Sequence, residues 1–550
     1  MRALWLAVAL TLGCYLPTID AGFVYDDYPY IVDNADLRGG AERLPELFAH
    51  SFPSFAPERG LYRPLASVTL WLDRAGGALD PRRHHVTNLT LAVLLVIAVH
   101  ALLRRVAGES AAGLGALLFA VHPVHVEAIA WVSGRAEVLA AIFVCVALAQ
   151  GIAFVRDGRA RSIAVSAAAV AAGILSKENG AVALPLWLGW WAVAGRRESR
   201  GRAGTIAGVF LAATAVVLLA RHAALDGFAP APAERAGGVG REARAALAVA
   251  ATGEHLRLLV WPHPLSIERM PEPPANWRGP VVWWGLAMIV AWGGAIAFSR
   301  NARRFLLLWP LVALLPVMHV VPIGATVAER FVLLPSVGLC GWAGSVAAAS
   351  WRTPRRVIVA AVVIAGAFLT IARANLWRDE ERLWEDAARR QPLSAKAWAG
   401  WGDAARHGGR AMDAITRYEK ALEIAPGMTA VRQTLAAAYG AVGREDLALE
   451  EARRAVESDG TDPVALNNLG ARLARAGRIE EADVLYQRAI AAAPRYAPAL
   501  RNAALAALEL GRRDEAAALL ERAAAVDPSL PGLVELRERM GSTPGRPDGR

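Results

Sequence analysis

Eleven apolar segments constrain the fold of this chain more than any other feature of its sequence. A helix that crosses a bilayer needs about 20 mainly apolar residues. Hydrophobic residues make up 55% of the 550 residues, which is a larger share than soluble proteins usually carry. We therefore predict an all-α, polytopic membrane domain over residues 1–376. Its membrane helices are predicted near residues 2–19, 86–103, 111–130, 136–155, 162–176, 180–195, 203–220, 279–298, 305–323, 331–350 and 357–373.

The arginines between these segments predict the orientation. Arginine clusters follow the second, fourth, sixth, eighth and tenth segments, and by the positive-inside rule those turns are cytoplasmic. The first segment has only Arg2 before it and a poor match to a cleavage site at residues 18–21, so we expect an uncleaved helix with a cytoplasmic N-terminus. The first loop, residues 20–85, and everything after residue 373 are then outside. The composition, rich in Ala and Arg, is typical of a bacterial protein and hence of an inner-membrane location.

One further segment, residues 245–261, is apolar but contains Glu254, His255 and Arg257. A charged side chain in the middle of a membrane costs about 2.5 kcal/mol or more. Counting this segment as a span would also place the later arginine clusters outside. We therefore predict an interfacial or re-entrant helix.

A repeat of 34 residues follows the last apolar segment. Pro392, Pro426, Gly460, Pro494 and Pro528 are each 34 residues apart. Small residues recur with the same period at positions equivalent to 402, 409, 414 and 421, which is typical of tetratricopeptide repeats. We predict a C-terminal α-solenoid over residues 377–540, with a half-repeat at 379–392, repeats at 395–428, 429–462, 463–496 and 497–530, and a disordered tail at 541–550.

Charge and cysteine usage exclude several other classes of protein. The net charge is +10, but the arginines lie between apolar segments or on the repeat helices, so we expect no nucleic-acid partner. Cys14, Cys145 and Cys340 all lie inside apolar segments. They offer neither a disulfide framework nor metal-ligand spacing.

An acidic pair, Asp26 and Asp27, lies just beyond the first membrane helix in the stretch FVYDDYPYIVDN. Asp, Asn and Pro are common turn formers, and a solvated acidic loop is the simpler interpretation of these residues alone. The alternative is a catalytic pair, because other ionisable residues are predicted at the same membrane face. Ionisable residues close to membrane segments are candidates for function.

Several clusters join this pair at the predicted outer face. Each has a structural interpretation as well, as a hydrogen-bonding core group, a salt-linked helix junction or an interfacial ion pair. His122, His125 and Glu127 also suggest a metal site, but their spacing is a loose signal; we predict no metal site, and a divalent metal requirement stays open. The candidate residues in these clusters are His122, His125, Glu127, Arg135, Lys177, Glu178, His263, Glu329 and Arg330.

Seven stretches spread over almost the whole sequence resemble the transmembrane-and-tetratricopeptide-repeat O-mannosyltransferase family, a branch of the GT-C-type membrane glycosyltransferases that use lipid-phosphate sugars. The order of the stretches makes the match specific. They read FVYDDYPYIVDN, YRPLASVTLWLD, HPVHVEAIAWVSGRAEVLA, SKENG, LRLLVWPHPLSIE, ERFVLLPSVG and WRDEERLWEDAARRQP. The family members often carry longer repeat arrays than the four repeats predicted here.

The resemblance implies a hexosyltransferase with a polyprenyl-phosphate monosaccharide, most simply mannose, as donor. An outer-loop carboxylate would act as general base on an acceptor hydroxyl, and the sugar would be transferred with inversion. A hydroxyl needs a positioned base to lose its proton, which Asp26 or Asp27 would supply. The leaving phosphate needs fixed cations, for which Lys177 and Arg330 are the first candidates and Arg135 the next.

The remaining candidates would position the substrates: His122, His125, Glu127, Glu178, Glu329 and His263. The repeats would present an acceptor polypeptide, since such arrays offer a concave surface suited to extended segments. Two alternatives remain. The acceptor is a glycan or lipid, or the protein is a non-catalytic membrane scaffold.

Overall fold

The computed structural model describes all residues except 55–59, 76–78, 196–197, 226, 228–239, 270–273, 320–324, 351–352, 528–529 and 542–550. Within the described residues the protein forms α-helices joined by short 3₁₀ turns and one π-helical turn, with no β-strand. This confirms the predicted all-α class. The protein divides into two compact units, Met1–Gln391 and Pro392–Arg550. Apart from Gly541, the predicted tail lies outside the described residues.

The first unit contains fifteen α-helices among its described residues. They are α1 Arg2–Tyr15, α2 Pro64–Arg74, α3 Pro81–Ala107, α4 Glu109–Ala120, α5 Val126–Ala130, α6 Arg135–Asp157, α7 Ala160–Ser176, α8 Ala183–Val193, α9 Arg200–Ala224, α10 Arg241–Val260, α11 Pro280–Phe298, α12 Asn301–Leu314, α13 Leu333–Ala348, α14 Thr353–Leu376 and α15 Glu380–Arg390.

Seven helical segments in the described part of the protein are long and apolar enough to cross a membrane. They are Arg2–Asp20, Pro81–Ala107, Val132–Asp157, Arg200–Ala224, Pro280–Phe298, Glu329–Ala348 and Thr353–Leu376. An eighth span is available if α4 and the segment Pro123–Ala130, bent by 58° at the break between them, cross together. The segment that contains α6 is the most buried of the seven and those with α11 and α14 are the least, so α6 lies at the centre of the bundle.

Three of the eleven predicted spans correspond to shorter helices. α7 has 17 residues, α8 has 11 and α12 has 14, with Pro310 inside it. At a rise of about 1.5 Å per residue, crossing a hydrocarbon core of about 30 Å takes about 20 residues. The count of eleven spans therefore stays a prediction.

Helix α10 covers the segment predicted as interfacial. It has 20 residues but, in the part of the protein that the structure describes, is not among the candidate spans. It packs closely on α11, because a Cβ atom on Gly253 would overlap the Cα of Gly285. One face of the helix is thus covered by protein, and its place at the membrane interface stays a prediction.

The second unit consists of helix pairs with the predicted period. The described helices are α16 Ala395–His407, α17 Ala411–Ile424, α18 Thr429–Ala441, α19 Glu445–Ser458, α20 Pro463–Arg475, α21 Ile479–Ala492, α22 Ala497–Glu509, α23 Arg513–Val526 and α24 Leu533–Gly541. The two helices of each pair pack through small residues. A Cβ atom on Gly402 would lie 2.5 Å from the ring of Tyr418, and one on Gly470 would lie 2.7 Å from the ring of Tyr486. Glycine is therefore needed at the positions that face a tyrosine ring on the partner helix.

Helix α15 is the last helix of the first unit, which extends to Gln391. It buries Leu383, Trp384, Ala387 and Ala388. Its Trp384 ring lies 5.3 Å from the ring of Tyr25. The assignment of residues 379–392 to a half-repeat of the solenoid stays a prediction.

Candidate functional site

The turn that carries Asp26 and Asp27 is held in an unusual backbone conformation. It follows the first span, and Tyr25 has a φ of +53°, a left-handed conformation that a bulky residue rarely adopts. The Tyr25 N–H donates to Oε1 of Glu380 at 2.8 Å. The Tyr25 ring lies 5.8 Å from that of Trp131. Strained backbone of this kind persists only where its surroundings fix it, and it is common at functional sites.

Asp27 anchors the turn. Its side chain is fully buried, and Oδ1 accepts from the N–H and the Oγ–H of Ser133 at 2.8 and 2.6 Å. Oδ2 accepts from the N–H of Val24 at 3.2 Å. Burial raises the pKa of Asp27 to about 7 against the opposing effect of these hydrogen bonds, and the charge of Asp26 adds to the rise. Both oxygens of Asp27 are therefore engaged within the protein.

Asp26 is placed differently from its neighbour. Its side chain is half-buried, and its backbone carbonyl oxygen accepts from the Tyr30 N–H at 3.0 Å. The Asp26 side chain is thus the more exposed of the two carboxylates.

Arg330 lies next to this turn through aromatic contacts. Its guanidinium forms an ion pair with the buried Glu127, whose other oxygen accepts from the Arg330 N–H at 3.2 Å. The same guanidinium lies 5.2 Å from the ring centroid of Trp131, the indole that contacts Tyr25. Glu127 thus holds Arg330 from one side while the aromatic ring covers another.

Lys177 shares an aromatic contact with Arg330. Their charged groups lie 5.6 and 4.9 Å from the ring centroid of Phe331, so two cations meet at one ring. Lys177 pairs with Glu137. Burial lowers the pKa of Lys177, and the neighbouring positive charges of Arg63 and Arg330 lower it further, against the opposing effect of Glu137. Repulsion between these cations favours an anion beside them.

The stretch SKENG positions Lys177 through a tight backbone crossing. Helix α7 ends at Ser176, and Lys177 is extended before a 3₁₀ turn over Glu178–Val182. A Cβ atom on Gly180 would overlap the backbone of Gly173, so the crossing requires glycine. Asn179 donates to Glu137 at 3.2 Å and fixes the carboxylate that holds Lys177.

Arg63 is a third cation of the cluster, and the sequence interpretation did not single it out. It donates to Glu178 from Nε at 3.4 Å and from a terminal nitrogen at 3.0 Å. Burial acts to lower the pKa of Arg63, but Glu178 and Glu137 outweigh it and raise that pKa. A single arginine before a proline in a long loop has no informative spacing. The only available signal was its place in YRPLASVTLWLD. We call Asp26, Asp27, Arg63, Lys177 and Arg330 the Asp26 site.

Arg135 does not join these cations. It is only 1% exposed and pairs with Asp73 at 2.6 Å. Its other nitrogens donate to the Asn88 side chain at 2.8 Å and to the His84 C=O at 2.9 Å. We call Asp73, Asn88 and Arg135 the Arg135 core. The predicted phosphate contact is not supported by this placement, because the guanidinium is consumed in joining α2, α3 and α6.

The two histidines of HPVHVE contact α10 and α13. Nε2 of His122 contacts the Leu259 C=O at 3.0 Å, and Nε2 of His125 contacts Oγ of Ser336 at 2.7 Å. Their rings stack at 5.3 Å. Among the described residues no group of three or more His, Cys, Asp or Glu side chains could hold a metal ion.

Glu329 and His263 lie in a separate ionic cluster. Glu329 is fully buried and accepts from the Ser266 N–H at 2.5 Å and from Arg269 at 3.2 Å. Arg373 approaches it at 3.5 Å. His263 is exposed, and its C=O accepts from Arg257 at 2.9 Å. These contacts join the segment after α10 to α14.

The protein is similar to known protein mannosyltransferases. A family model described as dolichyl-phosphate-mannose-protein mannosyltransferase matches residues 84–221. Protein O-mannosyl-transferase TMTC3 of Mus musculus is 25% identical over 569 residues, covering 89% of this chain and 60% of the relative. The Homo sapiens protein of the same name is 24% identical, covering 90% and 61%. Drosophila melanogaster Tmtc2 is 36% identical over 194 residues, covering 32% and 20%. The protein thus spans about 60% of the length of the TMTC3 relatives.

Solved structures of similar proteins align with a part of this one. MamA is 20% identical with a TM-score of 0.25, covering 29% of this chain and 88% of that structure. YrrB, a TPR protein, is 21% identical with a TM-score of 0.26, covering 34% of this chain and 92% of that structure.

The protein has at least seven helical segments long and apolar enough to cross a membrane, and its similarity to protein O-mannosyl-transferases extends over most of its length. It is an integral, multi-pass membrane protein that is similar to these transferases.

Proposed function

We propose that the protein transfers a monosaccharide, mannose in the first instance, from a polyprenyl-phosphate donor to hydroxyl groups of a polypeptide. The observation that carries this proposal is the half-buried Asp26 beside a fully engaged Asp27, at a turn linked through Tyr25 and Trp131 to Arg330. A base and a set of cations are the two requirements for displacing a phosphate with a hydroxyl.

In the proposed reaction Asp26 acts as the general base. The acceptor hydroxyl oxygen forms a bond to the anomeric carbon while the bond from that carbon to the phosphate oxygen breaks. The hydroxyl proton passes to the Asp26 carboxylate, and the electrons of the broken bond leave with the lipid phosphate. Attack from the face opposite the phosphate inverts the anomeric configuration. Asp27 holds the turn through Ser133.

The cations take up the charge of the leaving phosphate. Lys177, Arg330 and Arg63 each pair with a different carboxylate, Glu137, Glu127 and Glu178. These pairs keep the cations oriented before the donor binds, which is the preorganisation that electrostatic catalysis requires. Glu127 and Glu178 are then positioning groups for cations, and His122 and His125 support the backbone around them.

The repeats are proposed to bind the acceptor polypeptide. Helices α18 and α20 line a groove of about 430 Å³. Its floor is of small residues such as Ala437 and Ala471, and Gln433, Asn468 and Arg475 add polar groups. A smooth floor with amide groups suits an extended polypeptide backbone. We place the protein in a bacterial inner membrane, with the N-terminus cytoplasmic and the repeats outside.

Transfer of labelled sugar tests this function. Membranes that contain the wild-type protein are incubated with a panel of polyprenyl-phosphate sugars and a protein acceptor, beside Asp26→Asn and the control Asp33→Asn. Asp33 lies in the same loop and is exposed. We expect Asp26→Asn to lower the rate by about 10²–10⁴-fold, the usual contribution of a general base, and the control to be unaffected.

Two results would count against the proposal. Equal rates for the two variants would remove Asp26 as the base. A wild-type protein that transfers sugar from none of the donors, but still supports the cellular phenotype of its gene, would favour the scaffold.

A further inference from the structure

Helix α15 contacts the catalytic turn directly, although the two are far apart in the sequence. The carboxylate of Glu380 accepts from the Tyr25 N–H at 2.8 Å, across 355 residues. Trp384, one turn later on the same helix, meets the Tyr25 ring edge-on at 5.3 Å with an interplanar angle of 71°. Residues four apart share a face of a helix, so one face of α15 holds both the backbone and the side chain of Tyr25.

The hydrogen bond to Glu380 and the ring contact with Trp384 both act on Tyr25, whose backbone conformation sets the direction of the Asp26 side chain. Tyr25 has the left-handed φ of +53°, which a residue with a Cβ adopts only when its surroundings impose it. Asp26 follows immediately, so a return of Tyr25 to an ordinary φ would turn the Asp26 carboxylate to another direction. A hydrogen bond to a carboxylate is stronger than one between neutral groups, and Glu380 supplies it.

The other end of the turn is fixed independently. Asp27 accepts from Ser133 and Val24, and the Tyr28 N–H donates to the Tyr25 C=O at 3.2 Å. Asp26 thus lies between an anchor within the membrane-proximal part of the unit, Ser133, and an anchor on α15, Glu380. Loss of either contact would allow the backbone on one side of Asp26 to change conformation.

Helix α15 is itself well fixed at its start. Asp379 caps it by accepting from the N–H groups of Glu381 and Arg382 at 3.0 and 3.1 Å. The buried Leu383 and Trp384 hold the helix in the unit. The next helix in the sequence, α16, begins at Ala395 and is the first helix of the repeats. The segment that joins the repeats to the first unit is therefore the same segment that fixes the catalytic turn.

From this geometry we infer that α15 is a positioning helix for the sugar-transfer reaction, with Glu380 as a positioning residue that acts through Tyr25 on Asp26. This inference rests on the proposed function. It adds a role for a helix whose sequence pattern alone assigns it to the repeats. Glu380 contacts no substrate in this scheme; it sets the direction of the base.

Kinetic comparison of three variants tests the inference. Glu380→Ala removes the acceptor, Glu380→Gln retains an amide oxygen that accepts from the Tyr25 N–H, and Glu385→Ala is the control. Glu385 lies on the same helix and pairs with Arg389 at 2.6 Å. Misplacing a reacting group costs up to about 100-fold, so we expect Glu380→Ala to lower kcat by about 10- to 100-fold with little change in KM for the donor. Glu380→Gln should recover most of the rate, and the control should match the wild type.

A double-mutant cycle separates positioning from general structural damage. Glycine adopts a positive φ without strain, so in a Tyr25→Gly background the further loss caused by Glu380→Ala should shrink. An undiminished loss in that background would overturn the inference. A rise in KM at constant kcat would do the same.

Hydrogen exchange provides a readout that does not depend on activity. Glu380→Ala should speed amide exchange in the peptide that covers residues 23–31, and Glu385→Ala should not. Equal exchange in all variants would overturn the inference even if no donor is turned over. Transfer by the wild type, with equal kcat for Glu380→Ala and Glu385→Ala, would overturn the inference while leaving the proposed function in place. Absence of transfer from every donor would count against the proposed function first.

Discussion

The Asp26 site and the Arg135 core are built from the same kinds of residue and meet within one short stretch of the sequence. Ser133 contacts the first, because it donates to Asp27, and Arg135 belongs to the second, where it pairs with Asp73. The side chain of Arg135 is 1% exposed, whereas that of Arg63 in the Asp26 site is 20% exposed and that of its partner Glu178 is 41% exposed. Residue type therefore does not distinguish the Arg63–Glu178 pair from the Arg135–Asp73 pair; the exposed fraction of their side chains does.

This difference has an energetic meaning. A buried ion pair that loses one partner leaves an uncompensated charge, which is costly for folding. A more accessible pair that loses one partner exposes the other to water, and the cost is small. Variants of Arg135 should thus lose mainly stability, and variants of Arg63 should lose mainly activity.

The largest expected loss of stability comes from Arg135→Gln. It strands the Asp73 carboxylate, which is also nearly buried, and it removes the donor to Asn88. We expect the free energy of unfolding in mixed micelles to fall by about 3–5 kcal/mol. A variant that folds as well as the wild type but fails to transfer sugar would instead place Arg135 in the site, as the sequence interpretation had it.

Asp27 should produce a pH-dependent loss of stability. Its pKa is about 7 in the folded protein against an ordinary value of 3.8, so the folded state binds this proton more tightly than the unfolded state. The contribution of Asp27 to stability is therefore complete below about pH 4 and is lost as the pH rises through 7. Each unit of difference between the two pKa values corresponds to about 1.4 kcal/mol.

Thermal unfolding of the wild type and Asp27→Asn between pH 5 and 8 measures this effect. Asparagine keeps an oxygen that accepts from Ser133 but does not ionise. The wild type should lose stability relative to the variant as the pH rises. If stability changes with pH equally in the wild type and in Asp27→Asn, Asp27 is as accessible to solvent as Asp26. That result would contradict the assignment of Asp27 as the anchor and Asp26 as the base.

Arg63→Gln should give the opposite result to Arg135→Gln. Its loss removes one of three cations near the proposed phosphate position, and we expect transfer to fall about tenfold or more. The unfolding free energy should change by no more than about 1 kcal/mol, because the partner Glu178 becomes solvated. Similar losses of unfolding free energy for Arg63→Gln and Arg135→Gln would contradict the difference between their two ion pairs.

Much of the fold could be predicted from the sequence, because the apolar segments and the 34-residue repeat are regular features of it. The apolar segments that became α3, α6 and α14 are long enough to be recognised alone, and the 34-residue spacing follows from identical packing in each helix pair. Short helices such as α8 are ambiguous, because their length reflects tertiary packing in addition to hydrophobicity. Helix α15 has the pattern of a repeat helix, and its contact with Tyr25 joins residues too far apart in the sequence for that pattern to show.

The candidate site was predictable only in part. Asp26, Asp27, Lys177 and Arg330 lie in recognisable stretches. The structure brings Lys177 and Arg330 together at Phe331, and Arg330 contacts Trp131, the indole that also contacts Tyr25. The separation of Arg135 and Glu329 from them was not predictable, since a motif does not show to which side its charged residue points. Arg63 and Glu380 make contacts with residues distant in the sequence, Glu178 and Tyr25, and the sequence alone offers no pattern that predicts such contacts.

The smallest expected effect, from Glu178→Gln, sharpens the role of the carboxylates in the site. Glu178 holds Arg63 at 3.0 Å, and a glutamine would keep one oxygen for the same contact while removing the charge. If Arg63 acts through its own charge, transfer should stay within about threefold of the wild type and stability within about 1 kcal/mol. A loss as large as that of Arg63→Gln, measured in the same transfer assay, would mean that the orientation imposed by Glu178 matters as much as the cation. In that case the carboxylates of this site would be part of its function, whereas Asp73 in the Arg135 core balances a buried charge and accepts from the Thr87 hydroxyl at 2.6 Å.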